Sequence, residues 1–209
     1  MTYRNRCSTL RNHRDGFGVP RDMPFTVPSP RAPIVGGAAQ WYRSELGWDA
    51  TDGSPVRLAT GALFDVLELP ADAGAAVLGR TACTGPAALT GNRMQLLVAA
   101  GSAEELPGLL DWLEWRGVDL DLTALGAGGA MAAPPPPGRS APQGAAVWLR
   151  PPVVGRLQLP ALTGLGDSGG APDLVRLVDT AATECHRARL TRTARVNTRK
   201  TRAQPLAFS

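Results

Sequence analysis

The sequence predicts an α+β fold with a mostly antiparallel sheet and packed helices, on three observations. Short apolar segments between residues 56 and 99 are broken by glycine turns, as antiparallel strands are. A leucine face recurs at helical spacing between residues 102 and 115. A second apolar face of the same period runs from Leu174 to Ala188.

Taken in order, residues 38–46 read as a short helix docked by Trp41 and Tyr42. Residues 56–59 and 62–69 read as two strands about Thr60-Gly61, a hairpin-like turn. Pro70 then opens a helix to residue 80, because its fixed φ suits the first helical position, and Asp72 in the first turn meets the positive helix end. Residues 93–99 form a strand entered through Gly91-Asn92. In the helix over 102–115, Ser102 and Glu105 have the spacing of a capping box. Leu106, Leu109, Leu110 and Leu113 line one face with Trp112 beside them, and Pro107 distorts the first turn. Val118, Leu120, Leu122 and Ala124 alternate with Asp119, Asp121 and Thr123, the pattern of a half-buried strand. Residues 126–129 and 134–137 make a loop, residues 145–149 a further strand, and residues 155–170 are irregular. Pro172 and Asp173 begin the last helix, whose face of Leu174, Leu177, Val178, Ala181, Cys185 and Ala188 fades after Arg189.

Composition sets the boundaries. The 24 glycines and 19 prolines of 209 residues stay below the roughly 25–30% of a low-complexity chain. No apolar run approaches the roughly 18 residues a membrane helix requires, and the basic N-terminus has no hydrophobic stretch behind it. A cytoplasmic protein with no membrane contact is expected. Residues 1–33 carry a net charge of +4, residues 34–184 of −7 and residues 185–209 of +7, so the overall +4 belongs to the ends. The organisation expected is a disordered basic arm over 1–35, a folded domain over 36–190 and a disordered basic tail over 191–209. Cys7, Cys83 and Cys185 are odd in number and far apart, which suits reduced thiols and not a zinc site. Arginine outnumbers lysine 21 to one, which points to a GC-rich bacterial genome.

Two motifs mislead. Ile34-Val35-Gly36-Gly37 and Gly166-Asp167-Ser168-Gly169-Gly170 resemble chymotrypsin-like serine proteases, whose chemistry needs a histidine between those two segments. The only histidines are His13 and His186, one before and one after. Gly164, Gly166 and Gly169 match a dinucleotide loop, but Pro160 interrupts the strand it requires and the region that should supply a ribose-binding acid is arginine-rich. Asp119 and Asp121, two apart on a strand, share a face where they could hold Mg²⁺ or Mn²⁺, or simply be solvated. Asp65 and Glu68, three apart, fall on opposite faces of a regular strand and converge only across a bulge or strand end.

In order along the chain stand Gly61-Ala-Leu-Phe-Asp65-Val-Leu-Glu68-Leu, Gly85-Pro86 leading to Thr90-Gly91-Asn92-Arg93-Met94, Val118-Asp-Leu-Asp121, Gly128-Gly129 and Pro134-Pro135. Together with the segments from Trp41 to Trp48 and Leu109 to Trp115, this pattern resembles the bifunctional DNA primase/polymerase N-terminal domains, closest to small stand-alone members from high-GC bacteria, over residues 36–190.

The resemblance implies an archaeo-eukaryotic primase-like fold and, in active members, nucleotide joining by divalent metal. The metal is held by a D-x-D motif, a histidine in a glycine-turn strand and a later acid. Here Asp65 matches the first acid, Leu67 takes the place of the second with Glu68 displaced by one, the histidine position falls on Met94 or Gln95, and the later acid is Asp119 or Asp121. One acid and the histidine are missing, so the implied member is catalytically degenerate, a DNA- or replication-associated binding or regulatory module needing no cofactor. Arg187, Arg189, Arg192, Arg195, Arg199, Lys200 and Arg202 would supply its phosphate affinity, with nucleic acid and replication proteins as partners. The alternatives are an active nucleotidyltransferase that holds Mg²⁺ or Mn²⁺ on Asp65 and Glu68 and uses Asp121, and a structural interaction protein acting through the Trp-rich helix over 102–115.

Overall fold

The computed structural model describes residues 37–80, 84–140, 142–155, 157–162 and 173–202. Among them the chain forms an α+β fold with two antiparallel sheets and four helices. The elements in chain order are α1 (Ala38–Leu46), β1 (Ala50–Thr51), β2 (Arg57–Ala59), β3 (Phe64–Pro70), α2 (Ala71–Arg80), β4 (Ala87–Thr90), β5 (Arg93–Ala99), α3 (Ser102–Trp112), β6 (Thr123–Leu125), β7 (Ala130–Ala132), β8 (Val147–Arg150) and α4 (Leu174–Arg202). The larger sheet has the order β6-β3-β5-β4-β8 and the smaller the order β1-β2-β7. No helix among the described residues is long and apolar enough to cross a membrane.

β3 is buried on both faces, and the run from Phe64 to Leu69 is apolar on both but for Asp65 and Glu68. Leu67 and Leu69, with Met94, Leu96 and Val98 of β5, face a core shared with Val77 of α2, Leu106 and Leu109 of α3, and Leu174, Leu177, Val178, Ala181 and Cys185 of α4. Phe64 and Val66, with Leu97, face a second core shared with Tyr42 of α1, Trp48, Leu58 and Met131. In that second core Tyr42 and Trp48 stack at 5.9 Å and Trp48 meets Phe64 at 4.6 Å. The Tyr42 hydroxyl donates to the Pro134 carbonyl at 2.6 Å and accepts from Trp148 Nε1 at 2.9 Å, which fixes the proline loop against β8. Burial pushes the Tyr42 phenol well above its ordinary range, and the Trp148 hydrogen bond partly offsets this.

The helices follow the expected faces. α4 opens on Asp173, whose Oδ1 accepts the Val175 N–H at 2.8 Å. Glu184, buried in the middle of α4, is held by Arg80 of α2 at 3.1 Å and Arg187 at 2.8 Å.

Several expectations are corrected. Thr60-Gly61 does not join a hairpin, since β2 and β3 lie in different sheets. Thr60 donates through its N–H to Gly129 O and through its hydroxyl to Gly126 O, which ties the segment to the β6–β7 loop. The capping box does not form: Gly101, at φ 90°, is the N-cap of α3 and Ser102 is buried with no capping bond. Of the expected strand over 118–124 only Thr123 and Ala124 pair, within β6. The basic tail expected from residue 191 is helical in α4 as far as Arg202. The arm over 1–35 lies outside the described residues.

α2 lies close on β5 because Gly74 has no side chain. A Cβ there would sit 2.4 Å from Met94 Cβ. Gly74→Ala gains helix propensity of about 1 kcal/mol, yet overpacking of this kind costs about 1–3 kcal/mol. Thermal unfolding should therefore show a lowered Tm for Gly74→Ala, and a raised Tm would contradict this close approach.

Candidate functional site

Asp65 is fully buried on the helix side of β3, between Phe64 and Val66, which point the other way. Its Oδ2 accepts the Ala103 N–H at 2.9 Å. That amide is one of the donors that the first turn of α3 leaves without an intrahelical partner, and the carboxylate also meets the positive end of the helix. Asp65 thus caps α3 from a neighbouring strand, the task that Ser102 was expected to perform. Its Oδ1 has no hydrogen-bond partner among the described residues.

Glu68 is partly exposed and emerges on the opposite face of β3, as the two-residue period of a strand requires. Its Oε1 accepts from Gln95 Nε2 at 2.6 Å, and Gln95 Oε1 accepts from the Thr90 hydroxyl at 3.1 Å. Gln95 therefore occupies, beside Glu68, one of the two positions at which the resemblance implies a histidine. Met94, the other, packs in the core under the helices. An amide hydrogen-bonds as well as an imidazole but does not titrate near neutrality, so the Thr90–Gln95–Glu68 chain cannot relay a proton as a histidine would.

Asp121 and Asp119 do not form a paired-acid strand face. Asp121 is ion-paired to Arg93 at 2.5 Å, and Asp119 to Arg189 of α4 at 3.1 Å. Arg93 also donates to the Glu68 carbonyl at 3.2 Å, which anchors its guanidinium to the end of β3. The donor set implied for Mg²⁺ or Mn²⁺ does not fit: Asp65 and Glu68 are on opposite sides of the sheet, and Asp121 is held by an arginine. No group of three His, Cys, Asp or Glu is placed to hold a metal among the described residues.

A cleft of about 280 Å³ lies where the β4–β5 turn, the start of α2 and α4 meet, lined by Asp72, Asn92, Arg93, Asp121 and Arg192. Its two arginines are matched by its two aspartates, Arg192 pairing with Asp72 at 3.3 Å. Beneath it Cys185 is buried, its Sγ 3.9 Å from the Asp121 carbonyl. His186 packs its ring on Trp115 at 5.9 Å, in the helix layer and away from the face of Glu68. His13 lies outside the described residues.

Of the arginines assigned to phosphate, Arg187, Arg189 and Arg192 hold Glu184, Asp119 and Asp72. Arg195 is exposed, and the backbone of α4 continues through positions 199, 200 and 202. Sequence reasoning named Arg93 and Gln95 only as motif positions and missed the pairing of Arg93 with Asp121 and of Gln95 with Glu68. The signal for Asp65 was present, since a carboxylate inside a doubly buried run must find a donor.

No family model, characterised protein or solved structure matches this chain.

Burial, with the Asp121 charge adding to it, pushes the Cys185 thiol up to about 12 from an ordinary 9.0. The folded state then keeps a proton that the unfolded chain loses, so this contribution is constant below pH 9 and falls between about 9 and 12. In urea unfolding, the stability gap between the wild type and Cys185→Ala should narrow by about 1.4 kcal/mol from pH 8 to pH 10. A gap that stays constant would contradict a buried, protonated thiol.

Proposed function

We propose that the chain is a degenerate primase/polymerase-like module that binds nucleic acid instead of joining nucleotides, through the basic C-terminal half of α4. The observation that carries this reading is the change of character along one helical stripe. Leu174, Leu177, Val178, Ala181 and Cys185 are buried in that stripe, and Arg192, Arg195, Arg199 and Arg202 continue it at spacings of three and four. Residues 191–195 are exposed, so the helix leaves the core as it becomes cationic.

Beyond Arg192, which is paired to Asp72, Arg195, Arg199 and Arg202 span about 10 Å of helix, enough to meet neighbouring phosphates of one backbone. The contact is electrostatic and carries no base readout of its own. The placement of Asp65 as a helix cap and of Gln95 beside Glu68 supports the non-catalytic half of the reading. A cytoplasmic setting among replication proteins belongs to the same proposal.

Fluorescence anisotropy with a labelled duplex tests it. Three phosphates neutralised by Arg195, Arg199 and Arg202, with Arg192 already paired to Asp72, give a slope of log K against log salt of about −2.7, a loss of roughly 40-fold between 50 and 200 mM salt. Arg195→Ala with Arg199→Ala should reduce that slope to about −0.9. Absence of binding at 50 mM salt, or binding indifferent to both substitutions, would overturn the proposal, and Mn²⁺-dependent primer synthesis would overturn its non-catalytic half.

A further inference from the structure

The outer face of α3 combines an aromatic platform with uncompensated acid. Trp112 is 71% exposed, the most exposed large hydrophobic side chain among the described residues. One turn before it, Gly108 has open space where a side chain would begin, so the indole borders a bare ledge. Glu105 lies on the same stripe seven residues before Trp112, with Glu104 beside it, and both are exposed. Asp52, Asp72, Asp111, Asp119, Asp121 and Glu184 are each matched by an arginine. Glu104 and Glu105 have no ion pair among the described residues. Arginine suits this strip on both counts, because its guanidinium stacks on indole and forks onto carboxylates.

We infer that this face docks the basic end of α4 from a second copy of the chain. The complementary charges are both present in one sequence, −7 over residues 34–184 and +7 over 185–209. Within one copy they diverge. α3 starts beside Asp65, whereas α4 passes Trp115 at His186 and reaches Asp72, at the far end of β3, through Arg192. Arg195 lies nine residues beyond His186, about 13 Å further along the helix. The basic end therefore leads away from Glu104 and Glu105 of its own copy and is left to meet those of another. Two such contacts, one in each direction, close a two-fold pair. The inference does not depend on nucleic-acid binding, although the same arginines serve both and phosphate would compete.

Sedimentation velocity of the full chain in low salt tests it. The expected result is concentration-dependent association, weakened at least tenfold by Trp112→Ala, by Glu104→Arg with Glu105→Arg, and by Arg195→Glu with Arg199→Glu. Mixing the two charge-reversed variants should restore association, since each then carries the charge the other lacks. A monomer at hundreds of micromolar, association indifferent to Trp112 and the glutamates, or a mixture that stays apart would each overturn the inference. Duplex binding by the Glu104→Arg, Glu105→Arg variant keeps the two proposals separate, because that variant retains every arginine of α4.

Discussion

β3 is packed on both faces at once, and the domain is arranged around that burial. Phe64 and Val66 enter the core beneath α1 and the small sheet, while Leu67 and Leu69 enter the core beneath α2, α3 and α4. The two-residue period leaves Asp65 no choice but to share the helix side. A carboxylate in that position is costly unless it is hydrogen-bonded, and the first turn of α3 has donors without partners. The 2.9 Å bond from Ala103 serves both needs at Oδ2 of Asp65, while Oδ1 has no partner among the described residues, and it fixes where α3 begins. Glu68, three residues on, is released to the other face at the polar end of the sheet, so the strand that builds the fold also keeps its two acids apart.

α4 experiences two surroundings in one helix. Its first half is held by the apolar stripe and by Glu184 between Arg80 and Arg187. Arg189 and Arg192 then clip it to Asp119 and Asp72 on the rim. A short, Arg- and Thr-rich helix would be marginal alone in water, but elongation from an already buried helix avoids the cost of nucleation. The strong charge asymmetry of the chain thus becomes an acidic domain with a basic helix end.

The long-period signals in the sequence were legible. The extents of α1 and β5 and the buried face of α4 follow from spacing alone. β4 and β7 escaped because Ala87-Ala88-Leu89-Thr90 and Ala130-Met131-Ala132 are too short and small-residue-rich to show a period. The Thr60-Gly61 turn was misread because a local pattern does not report that Gly126 and Gly129 accept the hydrogen bonds of Thr60. The capping box failed for the same reason: a residue 38 positions upstream took the role. At the candidate site, the opposition of Asp65 and Glu68 was legible from parity. The pairing of Asp119 and Asp121 with arginines was not, because it depends on where α4 and β5 lie in space.

Amide exchange at Ala103 tests most directly whether Asp65 serves the fold as the cap of α3. In the native protein this amide should be protected, although it lies in the first turn of a helix where amides ordinarily exchange fast. In Asp65→Ala its protection should fall at least tenfold more than that of Leu97 in β5, a local loss of about 1.4 kcal/mol or more. Equal protection of Ala103 in the two proteins would contradict the account and return Asp65 to the list of residues available for chemistry.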